Sequence, residues 1–274
     1  MTSGFIFILL KIKNKYKMIA ILFLFFSILI VYKLYILYKI ELYSCLSSCN
    51  IEKPDQFLIN LDKKPDRLKN SKCRLNKMGF YPTRFSAVNG RELDLNSIVH
   101  PSAMKSINKG YRLEHHELSV GAVGCAMSHF QLWNKLLASS YDKFYIFEDD
   151  TVPMFSMDVS NQYVLPDDWD IFLLGGLYNE TEKVISDLFE SSNLAVTRVY
   201  KFYCLHGYVI RNTANVKNIL KQAFPISKQI DSWLSDLAFT NKINIYGVVN
   251  NRWVQTNEGT DIQTPVTQLF MNVL

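Results

Sequence analysis

The chain lacks acid where it is richest in apolar residues: its first 40 positions hold six lysines and no aspartate or glutamate. It is also short of cysteine, with 5 in 274 residues, and no two of them have the spacing of a zinc site. No internal repeat is visible, which argues against a solenoid or propeller. The formal charge of +5 belongs to the amino-terminal segment. Without Lys11, Lys13, Lys15, Lys17, Lys33 and Lys39, the 30 basic residues fall to 24 against 25 acidic, a net of −1. The remainder therefore carries no global nucleic-acid footprint. A hydrophobic content of 49% is enough for a substantial core.

The terminal segment is nearly unbroken apolar sequence from Met18 to Tyr38, 21 residues interrupted by Lys33. That length crosses a bilayer as a helix. Lys33 lies near one end, where its stem lets the ammonium snorkel, and Tyr32, Tyr35 and Tyr38 resemble an interfacial belt. The preceding lysines predict a cytoplasmic amino terminus and a lumenal or extracytoplasmic remainder, as in a single-pass type II membrane protein. A cleaved signal peptide is the competing reading, with small residues from Ser44 to Ser48; the length of the span favours the anchor. The expected division is a basic tail at 1–17, an anchor at 18–38, a stem at 39–54 and a folded domain at 55–274. A lumenal domain permits a disulfide and makes the sequon Asn179-Glu180-Thr181 usable. Buried single thiols are the default for Cys73, Cys125 and Cys204.

The densest chemistry lies at Phe144-Tyr145-Ile146-Phe147-Glu148-Asp149-Asp150. Four apolar residues read as a buried strand, and three acids follow without a break. Three carboxylates will not all stay ionised in an interior without a cation. A divalent metal at the carboxyl end of a sheet strand is the economical reading, and oxygen ligands suit Mg²⁺ or Mn²⁺. Such ions handle phosphates, which suggests a nucleotide-dependent enzyme. A solvated acidic turn is the bland alternative.

Elsewhere the pattern alternates. Phe57–Leu61, Trp169–Leu174, Tyr208–Ile210 and Ile243–Val249 read as strands. Pro65 suits the first turn of a helix that Gly79 caps, and Asn89-Gly90 reads as a turn after an extended Phe80–Val88. Gly121–Leu137 and Ile230–Phe239 read as helices, and Asn212 or Thr213 caps another that ends near Phe224. Gly121 and Gly124 near a helix start suggest close backbone approach or tight packing. Residues 91–118 read as a polar, irregular loop. Strands alternating with helices predict an α/β layer structure with a largely parallel sheet.

These residues resemble glycosyltransferase family 25, which includes lipooligosaccharide transferases and procollagen galactosyltransferases. The likeness rests on Phe57–Arg67 with its Pro-Asp-Arg turn, on Ala87-Val88-Asn89-Gly90, on Gly124-Cys125-Ala126-Met127-Ser128-His129 and on Ile146–Asp150. Looser pieces are Trp169–Gly175, Gly207–Ile210, Ile230–Leu234 and Gln255 through Ile262. Ala122 and Asn89 depart from the family, which often has Glu and Asp there.

The resemblance implies a GT-A-like, Rossmann-type mixed and largely parallel sheet flanked by helices, a UDP-sugar donor, and inversion at the anomeric carbon. It implies Glu148, Asp149 and Asp150 as ligands of Mn²⁺ (or Mg²⁺), with Asp150 closest. Asp231 becomes the expected base for the acceptor hydroxyl; a helix cap is its plain alternative. Asn60, Asp62 and Arg67 are placed on the nucleotide side, Ser128 and His129 near the donor, and Gln255 and Asp261 at a closing carboxyl-terminal edge. His206 reaches the metal if its strand ends beside Asp150. The implied partners are a nucleotide sugar, a glycan, lipooligosaccharide or hydroxylysine acceptor, and a membrane through the anchor. A non-catalytic carbohydrate-binding or scaffold protein of the same fold and a metal-dependent phosphohydrolase are the competing functions. The second predicts more acid and histidine clusters than the one dense cluster present.

Overall fold

Strand β1, Lys53–Asn60, buries every residue from Gln56 onward, as expected for a strand covered on both faces. The computed structural model to which it belongs describes residues 26–35, 52–110, 112, 114, 116–183, 195–249 and 253–256. The chain divides into two compact units, Met1–Cys49 and Asn50–Leu274. In the first, residues 26–35 are helical and every side chain is exposed. Among the described residues no helix is long and apolar enough to cross a membrane. Residues 18–25 and 36–38 of the expected anchor, the tail at 1–17 and most of the stem lie outside the described residues, as do Cys45 and Cys49.

In the second unit β1 leads into helix α1, Pro65–Lys77, with proline in its first turn. Gly79 follows at φ 81°, the left-handed conformation that lets the chain leave the helix and enter β2, Pro82–Ser86. A 3-10 turn at Gly90–Glu92 is capped by the Asn89 side chain, which accepts from the Arg91 amide. The stretch expected as an irregular loop instead contains helix α2, Pro101–Lys109. Its signals are standard ones: His100 caps it, Pro101 opens it, and Gly110 closes it at φ 73°. Its polar composition hid it, because only Ala103 and Ser106 are buried.

Helix α3, Val120–Leu137, crosses the sheet and feeds β3, Lys143–Glu148; a two-residue β4, Thr151–Val152, follows at once. Then come β5, Ile171–Leu173, and a hairpin of β6, Leu177–Lys183, and β7, Val196–Tyr203. Strand β8, Gly207–Arg211, precedes helix α4, Ala214–Lys221, which Thr213 caps. Helix α5, Ile230–Phe239, β9, Ile245–Val248, and β10, Val254–Gln255, are the last elements among the described residues.

The eight-stranded sheet has the order β2-β1-β3-β8-β5-β9-β7-β6, and β10 pairs separately with β4. The sheet is mixed. β2–β1, β1–β3 and β5–β9 are parallel. The pairs β3–β8, β5–β8, β7–β9 and β6–β7 are antiparallel. Since β7 and β8 both oppose the parallel pair β5 and β9, they run the same way. The link Cys204–His206 is therefore a jog rather than a turn, and Cys204 sits at φ 70° within it.

Alternation assigns the two faces. Phe57, Ile59, Phe144, Ile146 and Tyr208 pack with Ala126, Phe130 and Trp133 of α3. Leu58, Tyr145, Phe147 and Val209 pack with Leu75, Phe80 and Trp253. The face a residue occupies at the end of β3 is thus fixed by its parity. Glu148 follows Ile146 toward α3, and Asp149 follows Phe147 toward α1.

Candidate active site

The pocket opens where β1 and β3 end. It is a cavity of about 370 Å³ bounded by Asn60, Arg67, Gly90, Arg112, Ser128 and the three acids Glu148, Asp149 and Asp150. Its roof depends on a close approach that the sequence marked with glycine. A Cβ at Gly124 would lie 2.5 Å from the Val88 carbonyl oxygen and 2.6 Å from the Gly90 amide nitrogen. Ser128 fastens the same approach: its hydroxyl accepts from the Val88 amide and donates to the Gly124 carbonyl, both at 2.8 Å. Gly124 and Ser128 therefore hold the Asn89-Gly90 turn against α3.

The three acids do not point together. Asp149 faces α1 and is fully engaged there. It pairs with Arg67, and Asn60 Nδ2 donates to its Oδ2 at 2.6 Å. Its carbonyl accepts from Ser71 Oγ and from Arg74 Nη2. Arg74 Nε also holds the Thr151 carbonyl, so α1 clamps the whole turn after β3.

Glu148 faces α3, where a buried chain of hydrogen bonds orients it. Trp133 Nε1 donates to Tyr208 Oη at 2.8 Å. That oxygen lies 2.8 Å from His129 Nδ1, and His129 Nε2 lies 3.1 Å from Glu148 Oε1. The indole can only donate. Tyr208 thus accepts from Trp133 and gives its own proton to His129 Nδ1, leaving the Nε2 proton for Glu148. Cys125 Sγ adds a contact to the same carboxylate oxygen at 3.6 Å. Burial pushes the Glu148 carboxyl upward, but the His129 hydrogen bond and the nearby imidazoles and thiol bring it below the ordinary value. The Cys125 thiol is driven well up by burial and by the charges of Glu148 and Asp231.

Asp150 is left without such support. Its Oδ1 is buried with no hydrogen-bond partner among the described residues. Arg67 Nη2 is 3.5 Å from its other oxygen. Burial first, and then the charge of Glu148, push its carboxyl up to about 7. Across the sheet, the Glu148 amide donates to the His206 carbonyl at 2.8 Å, which places His206 opposite Glu148 at the start of β8. His206 Nε2 donates to the Trp253 carbonyl at 3.2 Å, and its Nδ1 is buried without a partner among the described residues. Asp150 and Glu148 supply oxygens of the kind a divalent cation takes, one of them without a partner among the described residues. Cys125, His129 and Glu148 also place ligand atoms within 4.8 Å of one another. Within the chain that trio is a carboxylate receiving two hydrogen bonds, and its thiol is a soft ligand.

Asp231 occupies the first turn of α5. It is not the helix cap, a position held by Gln229. Its Oδ1 accepts from the Ser232 amide at 2.7 Å and its Oδ2 from the Cys204 amide at 3.2 Å. Burial raises its carboxyl above the ordinary value against those two hydrogen bonds, and Glu148 adds to the rise. The charge of Asp231 acts on Cys125, Cys204 and Arg112, which brings it beside the pocket.

Other expected residues fall elsewhere. Asp62 is exposed and held by Ser86 Oγ, at 2.7 Å, and by Arg84, outside the residues that line the cavity. His129 stands behind Glu148 rather than in the pocket. Gln255 is exposed opposite Thr151 on β10, and Asp261 lies outside the described residues. Sequence reasoning missed Arg112, which lies in the stretch taken for a loop, and Tyr208 and Trp133, whose polar tips looked like ordinary core.

The comparisons agree with this geometry in extent. A family profile described as "Glycosyltransferase family 25 (LPS biosynthesis protein)" matches residues 53–234. A "Glycosyltransferase 25 family member" of Aedes aegypti is 27% identical over 185 residues, 64% of this chain and 29% of that protein. "Procollagen galactosyltransferase 1" of Danio rerio is 25% identical over 185 residues, again 64% of this chain and 29% of its own length. An "Inactive glycosyltransferase 25 family member 3" of Mus musculus is 27% identical over 117 residues, 38% of this chain and 19% of its own. The chain thus spans about three tenths of the length of the first two.

Proposed function

The chain belongs to glycosyltransferase family 25, and on that premise we propose that it moves a hexose, galactose by preference, from a UDP-sugar to an acceptor hydroxyl with inversion. The observation that carries this reading is Asp150. A carboxylate with a buried, unpartnered oxygen, beside Glu148 and at the mouth of a cavity, is a site built for a cation.

Glu148 and Asp150 would hold Mn²⁺, and such an ion would neutralise charge on a departing diphosphate. The chain's own residues do the remaining work. His129, fixed by Tyr208 and Trp133, keeps Glu148 ionised and aimed at the pocket. Arg67 and Asn60 hold Asp149 on the α1 side, which keeps the turn carrying Asp150 in place. Asp231 receives the proton of the acceptor hydroxyl at its carboxylate, and burial raises its affinity for that proton. Val88, Gly90 and Gly121 wall the cavity with backbone and small surface, leaving room for a flat ring.

The fold reading is GT-A-like. The acceptor reading is a hydroxyl of a glycan, lipooligosaccharide or hydroxylysine; procollagen galactosyltransferase among the relatives supports the last. The anchor reading is a type II span at 18–38 with the domain lumenal. Its support is the exposed apolar surface of residues 26–35, among them Phe26, Ile28, Ile30 and Val31. The inactive relative favours one alternative, a non-catalytic member of the fold.

Incubating the full chain in detergent with UDP-galactose, Mn²⁺ and a panel of hydroxylysine and galactosyl acceptors tests the reading. Acceptor-dependent UDP release that Asp231→Asn reduces by about a hundredfold or more is the expected result. Metal-dependent UDP binding with no transfer to any acceptor would favour the non-catalytic alternative.

A further inference from the structure

Arg112 is 4% exposed and lines the cavity. Its Nε and Nη1 are buried, and among the described residues neither has a hydrogen-bond partner. Arg67, another arginine of the wall, is by contrast ion-paired to Asp149 and Asp150. The acids whose charge reaches Arg112 are Asp231 and Glu117, and Asp231 is itself held by two backbone amides. A buried guanidinium with two nitrogens unbonded among the described residues is costly to keep, and such a group persists where a ligand completes it. The fork of N–H donors matches phosphate and carboxylate oxygens two at a time.

We propose that Arg112 is the oxyanion-binding arm of this cavity, taking two oxygens of a phosphate or carboxylate on a bound substrate. Under the transferase reading, on which the source of the anion rests, the oxyanion is either the diphosphate of the donor or an acidic group of the acceptor. The charge of Asp231 reaches Arg112, which places its positive charge near that carboxylate. The ligand completes the guanidinium; no bond is made or broken there.

The test uses the full chain in detergent, metal-free with chelator, titrated calorimetrically with inorganic pyrophosphate. Wild type is compared with Arg112→Lys and Arg112→Gln. Pyrophosphate should bind wild type, at least tenfold more weakly to Arg112→Gln, and with an intermediate affinity to Arg112→Lys. Thermal melting supplies a second readout, since removing a buried guanidinium with two unbonded nitrogens should leave Arg112→Gln melting no lower than wild type. Repeating the titration with saturating UDP and Mn²⁺ identifies the source. Competition means that Arg112 serves the donor diphosphate; simultaneous binding means that it serves an acceptor anion. Unchanged pyrophosphate affinity in a folded Arg112→Gln protein, or no binding by wild type, overturns the proposal. So does a marked fall in melting temperature, which would make Arg112 a structural residue. Pyrophosphate binding through Arg112 without any binding of UDP and Mn²⁺ would sink the transferase reading and leave this one standing.

Discussion

Asp149 and Asp150 are adjacent acids with opposite surroundings. Asp149 is answered by Arg67 and Asn60, while its carbonyl is held by Ser71 and Arg74. Asp150 keeps a buried oxygen with no partner among the described residues and a carboxyl raised to about 7. On the α1 side, the carboxylate and the carbonyl of Asp149 are both answered within the chain. On the pocket side, Asp150 Oδ1 and Arg112 Nε and Nη1 are buried with no partner among the described residues. Polar groups that are satisfied hold a fold; buried ones that are not point to a ligand.

The contrast breaks most severely at Asp149. Asp149→Ala leaves the nearly buried Arg67 without its main partner and should cost about 3–5 kcal/mol of folding stability, read by denaturant unfolding. Tyr208→Phe removes the acceptor of Trp133 and the donor to His129, for a loss of about 1–3 kcal/mol. It should also let the His129 tautomer change, which ¹⁵N imidazole shifts detect.

Asp150→Asn should act in the other direction. The folded-state carboxyl titrates at about 7, above its unfolded value, chiefly because of burial and then of Glu148. Its favourable contribution is therefore present at low pH and is lost as pH rises through 7. Without metal, Asp150→Asn should gain about 1 kcal/mol at pH 8 and nothing measurable at pH 4, by the order of cost expected for an unsatisfied buried group. The smallest effect is on metal affinity itself. A proton competes for the same oxygen, so Mn²⁺ binding should weaken by up to about tenfold per unit as pH falls below 7.

Much of the site was legible. The apolar run Phe144–Phe147 could only be a buried strand, and an acid run after it had to emerge at a sheet edge. Pro65, Gly79, Gly124 and the α5 pattern each marked a local event that the structure contains. The division of labour among the acids was hidden by treating them as a block, although strand parity sends Glu148 and Asp149 to opposite faces. Arg112 was hidden because its burial depends on α2 and the cavity, neither of which shows in a polar stretch. The β6–β7 hairpin was missed because β6, Leu-Tyr-Asn-Glu-Thr-Glu-Lys, is an edge strand with little apolar alternation.

The central claim is that Asp150, not Asp149, holds the cation that recruits the nucleotide. Calorimetric titration of UDP into the full chain, with and without Mn²⁺, tests it in wild type, Asp150→Ala and Asp149→Asn. Metal-dependent UDP binding that vanishes in Asp150→Ala, but survives in a folded Asp149→Asn, is the predicted result. Metal-dependent binding of equal strength in wild type and Asp150→Ala would contradict it.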